Sequence, residues 1–193
     1  MGWNELMWDI EEKVIGTIKG TFRPLDDIPF FTVCYPPELE REAIRHFKLL
    51  SERLKAKDVP SEVISMKEIL KEALSELGVI KENDAEWLIE FERNKNKKEL
   101  IEDFKRYLPE KVSEILLKRL ANKDSNFVAI LIRMGILYPF VRSSSIRAKL
   151  ENRVKCILII AYPSNEAGEM LYSKSFSLGG YYRGEIIQWR WND

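Results

Sequence analysis

The sequence predicts an α/β domain of three layers, in which helices cover both faces of a mainly parallel sheet of about five strands. One observation is that apolar strand-like segments alternate with amphipathic helical segments along the chain, the order that builds such a sheet. Another is that two of these segments, NFVAILIRM and VKCILIIAY, are apolar at nearly every position. Strands of that kind are typical of a parallel sheet with both faces buried. At 193 residues, the chain is expected to form one domain over residues 1–193.

Residues 1–27 are predicted to form an N-terminal helix and a linker. Apolar residues recur there at spacings of three and four, and Gly20 follows them as a stop signal. These apolar positions are Trp3, Met7, Ile10, Val14 and Ile18. The linker leads into PFFTVCYPP, the first predicted strand.

A second amphipathic helix and a second strand follow. The helix carries Leu39, Ala43, Phe47, Leu50 and Leu54 on one face, and SEVIS is the strand. Ser65 and Glu68 have the spacing of a capping box, which predicts a helix over Met66–Leu77 that Gly78 closes.

Residues 82–122 contain no strand pattern and are predicted to be a helical insertion, with Pro109 starting its last helix. The strands NFVAILIRM and VKCILIIAY come next, with a short helix at IRAKLEN between them. After Pro163, EAGEMLYSK is predicted to be helical and YYRGEIIQWRW to be the final strand.

The charge balance argues against nucleic-acid binding by this chain alone. Thirty-one basic residues face thirty-one acidic ones, whereas phosphate neutralisation usually requires a basic excess. The basic stretch RNKNKKE is expected to be a solvated loop or helix turn.

The cysteines and the apolar runs indicate a cytoplasmic protein. Cys34 and Cys156 lie in apolar strand-like segments, which favours buried free thiols in a reducing compartment. With His46 as the single histidine, no metal site is expected. No apolar run is long enough to span a membrane, and the N-terminus does not have the pattern of a signal peptide.

Three apolar runs are followed by Tyr-Pro: Tyr35-Pro36, Tyr138-Pro139 and Tyr162-Pro163. If the strands are parallel, these steps lie at the carboxyl edge of the sheet, where open α/β sheets bind ligands. Proline also ends strand pairing, so the repeat has a purely structural explanation, and both explanations can hold.

No cofactor or catalytic motif is recognisable. The loop CYPPELE after the first strand has no glycine and no lysine, so it lacks the residues of a phosphate-binding loop. A nucleophile among Ser143–Ser145 would need a nearby base, and the single histidine lies in another helix. The sequence therefore predicts a protein without a cofactor and without enzymatic activity.

Arg142 precedes three serines, and two roles remain open for it. It could hold an anion together with a helix N-terminus, or it could stand beside a serine N-cap and pair with an acid of the same domain. Arg183, in YYRGE, raises the same question.

The segments YPFVRS (138–143), CILIIAYP (156–163) and YYRGEII (181–187) together resemble the BrxB family of BREX phage-exclusion systems. The early PFFTVCYPP adds to the resemblance, which covers roughly residues 28–188. Two positions depart from the family pattern, since Ser144 stands where a histidine is frequent and Ser164 where a glycine is frequent. The matching positions are Tyr138, Pro139, Phe140, Arg142, Ser143, Tyr162, Pro163, Tyr181, Tyr182 and Arg183.

The resemblance implies a non-catalytic component of an antiviral defence complex, with a degenerate nucleotide-binding, P-loop-NTPase-like fold that has lost its phosphate loop. Its partners would be a PglZ-type alkaline-phosphatase-like subunit and other BREX components. The candidate partner- or anion-binding residues are Tyr138, Pro139, Arg142, Ser143, Tyr162, Tyr182 and Arg183. Two alternatives stay open: a nucleotide- or phosphate-responsive switch or enzyme using Arg142 and Arg183, and a DNA-contacting accessory protein.

Overall fold

Five parallel strands form one sheet in a computed structural model that describes residues 2–79, 97–164 and 184–189. The spatial order of the strands is β2-β3-β4-β1-β5, and every pairing between neighbours is parallel. The strands are β1 (Phe30–Tyr35), β2 (Ser61–Ser65), β3 (Val128–Ile132), β4 (Ile157–Pro163) and β5 (Glu185–Gln188). The prediction of a mainly parallel sheet is confirmed.

Helices cover both faces of this sheet, which confirms the three layers. On one face lie α1 (Trp3–Lys19) and α2 (Glu40–Lys55), and their buried residues form one core with the sheet. On the other face lie α3 (Met66–Glu76), α4 (Lys97–Leu120) and α5 (Ser143–Leu150), which form the second core. β3 and β4 are buried along their whole length, as expected for central strands.

The alternation of side chains in β1 serves both cores. Phe31 and Val33 pack toward α1 and α2, whereas Phe30 and Cys34 pack toward the opposite face. Burying one large apolar side chain of this kind contributes about 1.5–3 kcal/mol to folding. Because β1 contributes side chains to both cores, as β3 and β4 also do, packing on both faces fixes the position of its carboxyl end.

Two glycines end helices where the sequence predicts it. Gly20 follows α1 with φ 71°, and Gly78 follows α3 with φ 70°, both in the left-handed region that favours glycine. The capping box predicted from Ser65 and Glu68 is wrong. Ser65 is the N-cap of α3 and the last residue of β2, with the extended backbone usual at an N-cap, but its side chain makes no capping hydrogen bond.

The prediction that Pro109 starts a helix is wrong, because α4 runs through this residue from Lys97 to Leu120. Proline removes one helical hydrogen bond, but Leu108 and Val112 on either side are buried in the core and hold the helix in place. The remainder of the predicted insertion up to residue 96, and the helix predicted at EAGEMLYSK, lie outside the described residues.

Both cysteines are free and buried, as predicted. Burial raises the pKa of the Cys156 thiol to about 11. Among the helices of the described ranges, none has the length and apolar character needed to cross a membrane.

Candidate functional site at the carboxyl edge of the sheet

The three Tyr-Pro steps lie together at the carboxyl edge of the sheet. Tyr35 is the register partner of Pro163, and the amide of Ser164 donates a hydrogen bond to the Tyr35 carbonyl over 2.9 Å. A Cβ atom placed on Gly135, three residues before Tyr138, would lie 3.6 Å from Cγ of Pro163. The shared edge predicted from the sequence is therefore present.

The tyrosines of two of these steps point in opposite directions. The register pairs Cys34 with Tyr162, so Tyr162 shares the face of Cys34, whereas Tyr35 occupies the other face. Both tyrosines are buried, Tyr35 at 1% and Tyr162 at 7% exposure. These two side chains contribute to the two cores rather than to one common surface.

Residues beside the loop after β1 form hydrogen bonds with one another. The Tyr35 hydroxyl donates a hydrogen bond to the carboxylate of Glu40, and the Trp3 indole donates one to Glu42 over 2.9 Å. Burial, reinforced by the negative charge of Glu40, raises the pKa of Tyr35. Two acids of the first turn of α2 thus accept hydrogen bonds from aromatic side chains beside this loop.

The single histidine is part of the same aromatic cluster. His46 stacks on Trp3 with ring centroids 5.0 Å apart and an interplanar angle of 10°. Trp189, which follows β5, packs against the same Trp3 ring edge-on at 4.8 Å. His46 therefore contributes to the packing of this aromatic cluster. In the part of the chain that the structure describes, no group of three or more potential metal ligands comes together.

The Tyr138-Pro139 step is reached differently from what the sequence predicts. β3 ends at Ile132, Arg133 adopts φ 63°, and Met134–Leu137 form a turn of 3₁₀ helix before Tyr138. The strand therefore does not continue to this Tyr-Pro step, because the left-handed backbone of Arg133 turns the chain away from the sheet. Tyr138 is 41% exposed and Pro139 is exposed as well, and the peptide bond between them is cis.

Arg142 and Ser143 lie at the start of α5 and differ in burial. Arg142 is the N-cap residue and its side chain is exposed, whereas Ser143 is the first helical residue and is buried. The suggestion of a serine N-cap beside Arg142 is therefore wrong. Of the candidate residues, Tyr138, Pro139 and Arg142 lie on the surface of this edge. Tyr182 and Arg183 lie outside the described residues, as does Tyr181.

A buried arginine that sequence reasoning missed connects α5 to β1 inside the domain. Arg147 of α5 is 5% exposed, and its Nη1 donates a hydrogen bond to Oγ1 of Thr32 in β1 over 2.9 Å. In the sequence, the signal is an arginine next to Ile146 and three residues before Leu150, on the buried stripe of a short helix. A charge on that stripe predicts a specific polar contact inside the domain.

Gly184, the glycine of YYRGE, packs closely against Phe30 and Arg147, and these residues form one cluster with Thr32 and Cys34. It has φ 98°, and a Cβ atom there would lie 2.6 Å from the Phe30 carbonyl oxygen and 3.1 Å from Nη2 of Arg147. Burial raises the pKa of the nearby Cys34 thiol, while the Ser164 hydrogen bond and the charge of Arg147 act in the opposite direction. The cluster links α5, β1 and the segment that enters β5.

These features define a class of protein, an all-parallel α/β domain in which aromatic residues beside the loop after β1 bind acids of α2. Its exposed candidate residues follow the third strand. Comparison with known proteins gives the family. The family model described as BREX protein BrxB matches residues 64–186, more than half of the chain. The chain belongs to the BrxB family, a component of BREX phage-defence systems.

The matched range begins in β2, so β1 and α2 lie outside it, whereas the resemblance seen in the sequence extended back to about residue 28. Tyr138, Arg142, Tyr162, Tyr182 and Arg183 all lie within it. No curated protein and no solved structure matches the chain.

Proposed function

We propose that this chain is a non-catalytic component of its BREX system, acting in the cytoplasm as a protein–protein interaction module for the PglZ-type subunit. The observation that carries the proposal is the contrast at the carboxyl edge. Beside the loop after β1, Tyr35 and Trp3 donate hydrogen bonds to acids of α2. At the same edge, Tyr138, Pro139 and Arg142 are exposed. Exposed tyrosine and arginine are typical of the energetically dominant residues of protein interfaces.

The proposal includes the origin of the fold as a degenerate nucleotide-binding, P-loop-like domain. Its support is an all-parallel sheet in which β1 lies between β4 and β5 and is followed by a loop that begins with Pro36-Pro37 and has neither glycine nor lysine. Two prolines remove two amides that would otherwise face a phosphate. A domain of this kind can keep the ligand-binding edge of its fold and use it for a protein partner.

The test is a binding measurement between the purified full-length chain and the PglZ-type subunit of the same defence system. Arg142→Ala and Arg183→Ala are each expected to weaken the complex by about tenfold or more, since interface arginines are often hot spots. The matched control is Arg153→Ala, an exposed arginine just before β4 at the opposite, amino edge of the sheet. Binding that is unchanged in both edge variants would remove these arginines from the interface.

Calorimetry separates this proposal from the nucleotide-responsive alternative. With ATP, GTP and cyclic nucleotides at millimolar concentration, we expect no heat of binding and no shift of the thermal midpoint. A saturable heat that Arg142→Ala abolishes would favour the phosphate-binding switch over the interaction module.

A further inference from the structure

Arg133 has a backbone conformation that its residue type disfavours. It is exposed, it directly follows β3 at the carboxyl edge, and its φ of 63° and ψ of 39° lie in the left-handed region. Side chains other than glycine and asparagine rarely occupy that region, because Cβ approaches the backbone. A strained non-glycine residue held at the edge where such sheets bind their ligands points to a use for its side chain.

The 3₁₀ helix after Arg133 is anchored on one side and exposed on the other. Met134 and Leu137 are each 1% exposed and belong to the core, whereas Ile136 and Tyr138 are each 41% exposed. The buried pair fixes the turn against α3 and the end of β4. Ile136 and Tyr138 are therefore presented to solvent on a backbone that is already ordered, which lowers the entropic cost of binding.

The segment that carries Ile136 and Tyr138 is connected to α4. Phe140 contacts Phe104 with ring centroids 5.3 Å apart and planes at 83°, which joins the Tyr138 segment to that helix. Three residues beyond Phe104, Tyr107 is 48% exposed and carries the Arg106 guanidinium 5.3 Å from its ring centroid. Among the large apolar side chains exposed within residues 2–79, 97–164 and 184–189, three belong to the two segments that the Phe104–Phe140 contact joins: Tyr107, Ile136 and Tyr138.

We propose that these residues form a docking surface for an acidic segment of the partner protein, with an apolar side chain of that segment packed against Ile136 and Tyr138. The docking surface consists of Arg106, Tyr107, Arg133, Ile136 and Tyr138. The inference rests on the proposed function and names the chemistry of the partner at that site.

Charge complementarity favours an acidic protein segment as the ligand of the docking surface. Arg133 lies three residues before Ile136 in the chain, and the Arg106 guanidinium lies over the Tyr107 ring. In the proposed complex, carboxylates of the bound segment would meet these guanidinium groups while its apolar side chain leaves water. A protein segment fits better than nucleic acid, because the surface includes the exposed aliphatic side chain of Ile136 and the chain carries no net positive charge.

The test uses full-length variants and the purified PglZ-type subunit of the same system as the probe. Arg133→Glu and Ile136→Asp are each expected to weaken the complex by about tenfold or more. Arg133→Gly suits the left-handed backbone and removes the whole side chain, including the guanidinium, so it should weaken binding while the thermal midpoint stays equal or rises. The controls are Arg153→Glu at the amino edge and Leu49→Asp on α2, where Leu49 is 45% exposed.

The outcomes separate this inference from the proposed function. A wild-type chain that does not bind the PglZ-type subunit contradicts the proposed function and the inference with it. A wild-type chain that binds, with Arg133→Glu and Ile136→Asp equal to their controls, overturns the inference alone. Binding of duplex DNA that falls steeply with salt and is lost in Arg133→Glu would assign the surface to nucleic acid and also overturn it.

Discussion

Arg147 of α5 donates a hydrogen bond from Nη1 to Oγ1 of Thr32 in the middle of β1, over 2.9 Å and across 115 residues of sequence. Both residues are buried, at 5% and 4% exposure. The contact places α5 against β1 across the sheet from α2, and α5 begins directly after Arg142. It therefore connects the interior of the domain to the edge that we assign to the partner.

Replacing Thr32 by valine tests this contact, because valine has the same shape without the hydroxyl. We expect Thr32→Val to lower the free energy of unfolding by about 1–3 kcal/mol, since a buried guanidinium group loses an acceptor. Urea denaturation measures the loss. In an Arg147→Met background the same substitution should cost much less, and equal costs in the two backgrounds would show that the two side chains are not coupled.

Gly184 should tolerate substitution less well than Gly20. Both have positive φ, but a Cβ atom on Gly184 would meet the Phe30 carbonyl oxygen at 2.6 Å, whereas nothing lies within 4 Å of one on Gly20. We expect Gly20→Ala to cost about 1 kcal/mol from backbone strain alone, and Gly184→Ala to cost distinctly more. Thermal and urea unfolding of the two variants give the comparison. A smaller loss for Gly184→Ala would mean that the chain before β5 moves away from Phe30 and Arg147 at little cost.

The single histidine allows a direct test of the aromatic cluster. Burial against Trp3, and secondarily the charge of Arg45, lower the pKa of His46, while Glu42 acts in the opposite direction. We therefore expect NMR titration to give an imidazole pKa below the ordinary value of about 6.5. Because the unfolded chain then binds more protons, the stabilisation from neutral His46 is complete above that ordinary value and is lost as the pH falls through the folded-state pKa.

Trp3→Leu removes the indole that covers the imidazole. Its effect should be to raise the pKa of His46 toward the ordinary value, with a smaller loss of stability on acidification than in the wild type. A pKa of His46 that is the same in both proteins would show that Trp3 does not provide the burial.

The sequence predicts the parts of the fold that depend on local patterns. The apolar runs of β3 and β4 and the glycines after α1 and α3 carry their own signals, so the layers, the parallel sheet and two helix ends could be predicted. The shared edge of the Tyr-Pro steps also follows, because parallel strands end on one side.

The burial and direction of the side chains at the carboxyl edge could not be predicted, since they depend on strand register and on residues distant in the sequence. Tyr35 and Tyr162 face opposite cores because the register pairs Cys34 with Tyr162, and one residue changes the face of a strand side chain. Arg147 is buried against Thr32, an acceptor that lies far away in the sequence. The left-handed backbone of Arg133 ends β3 although the apolar pattern continues through Met134 to Leu137.

Photocrosslinking tests the central claim most directly. A benzophenone amino acid is placed at Tyr138 in one variant and at Leu49 in another, two exposed positions at the carboxyl edge and on α2. Each variant is irradiated in complex with the PglZ-type subunit, and the products are mapped by mass spectrometry. Docking through the carboxyl edge predicts a crosslink from position 138, mapped to an acidic segment of the partner, and none from position 49. A complex that forms normally but crosslinks only from position 49 would contradict it.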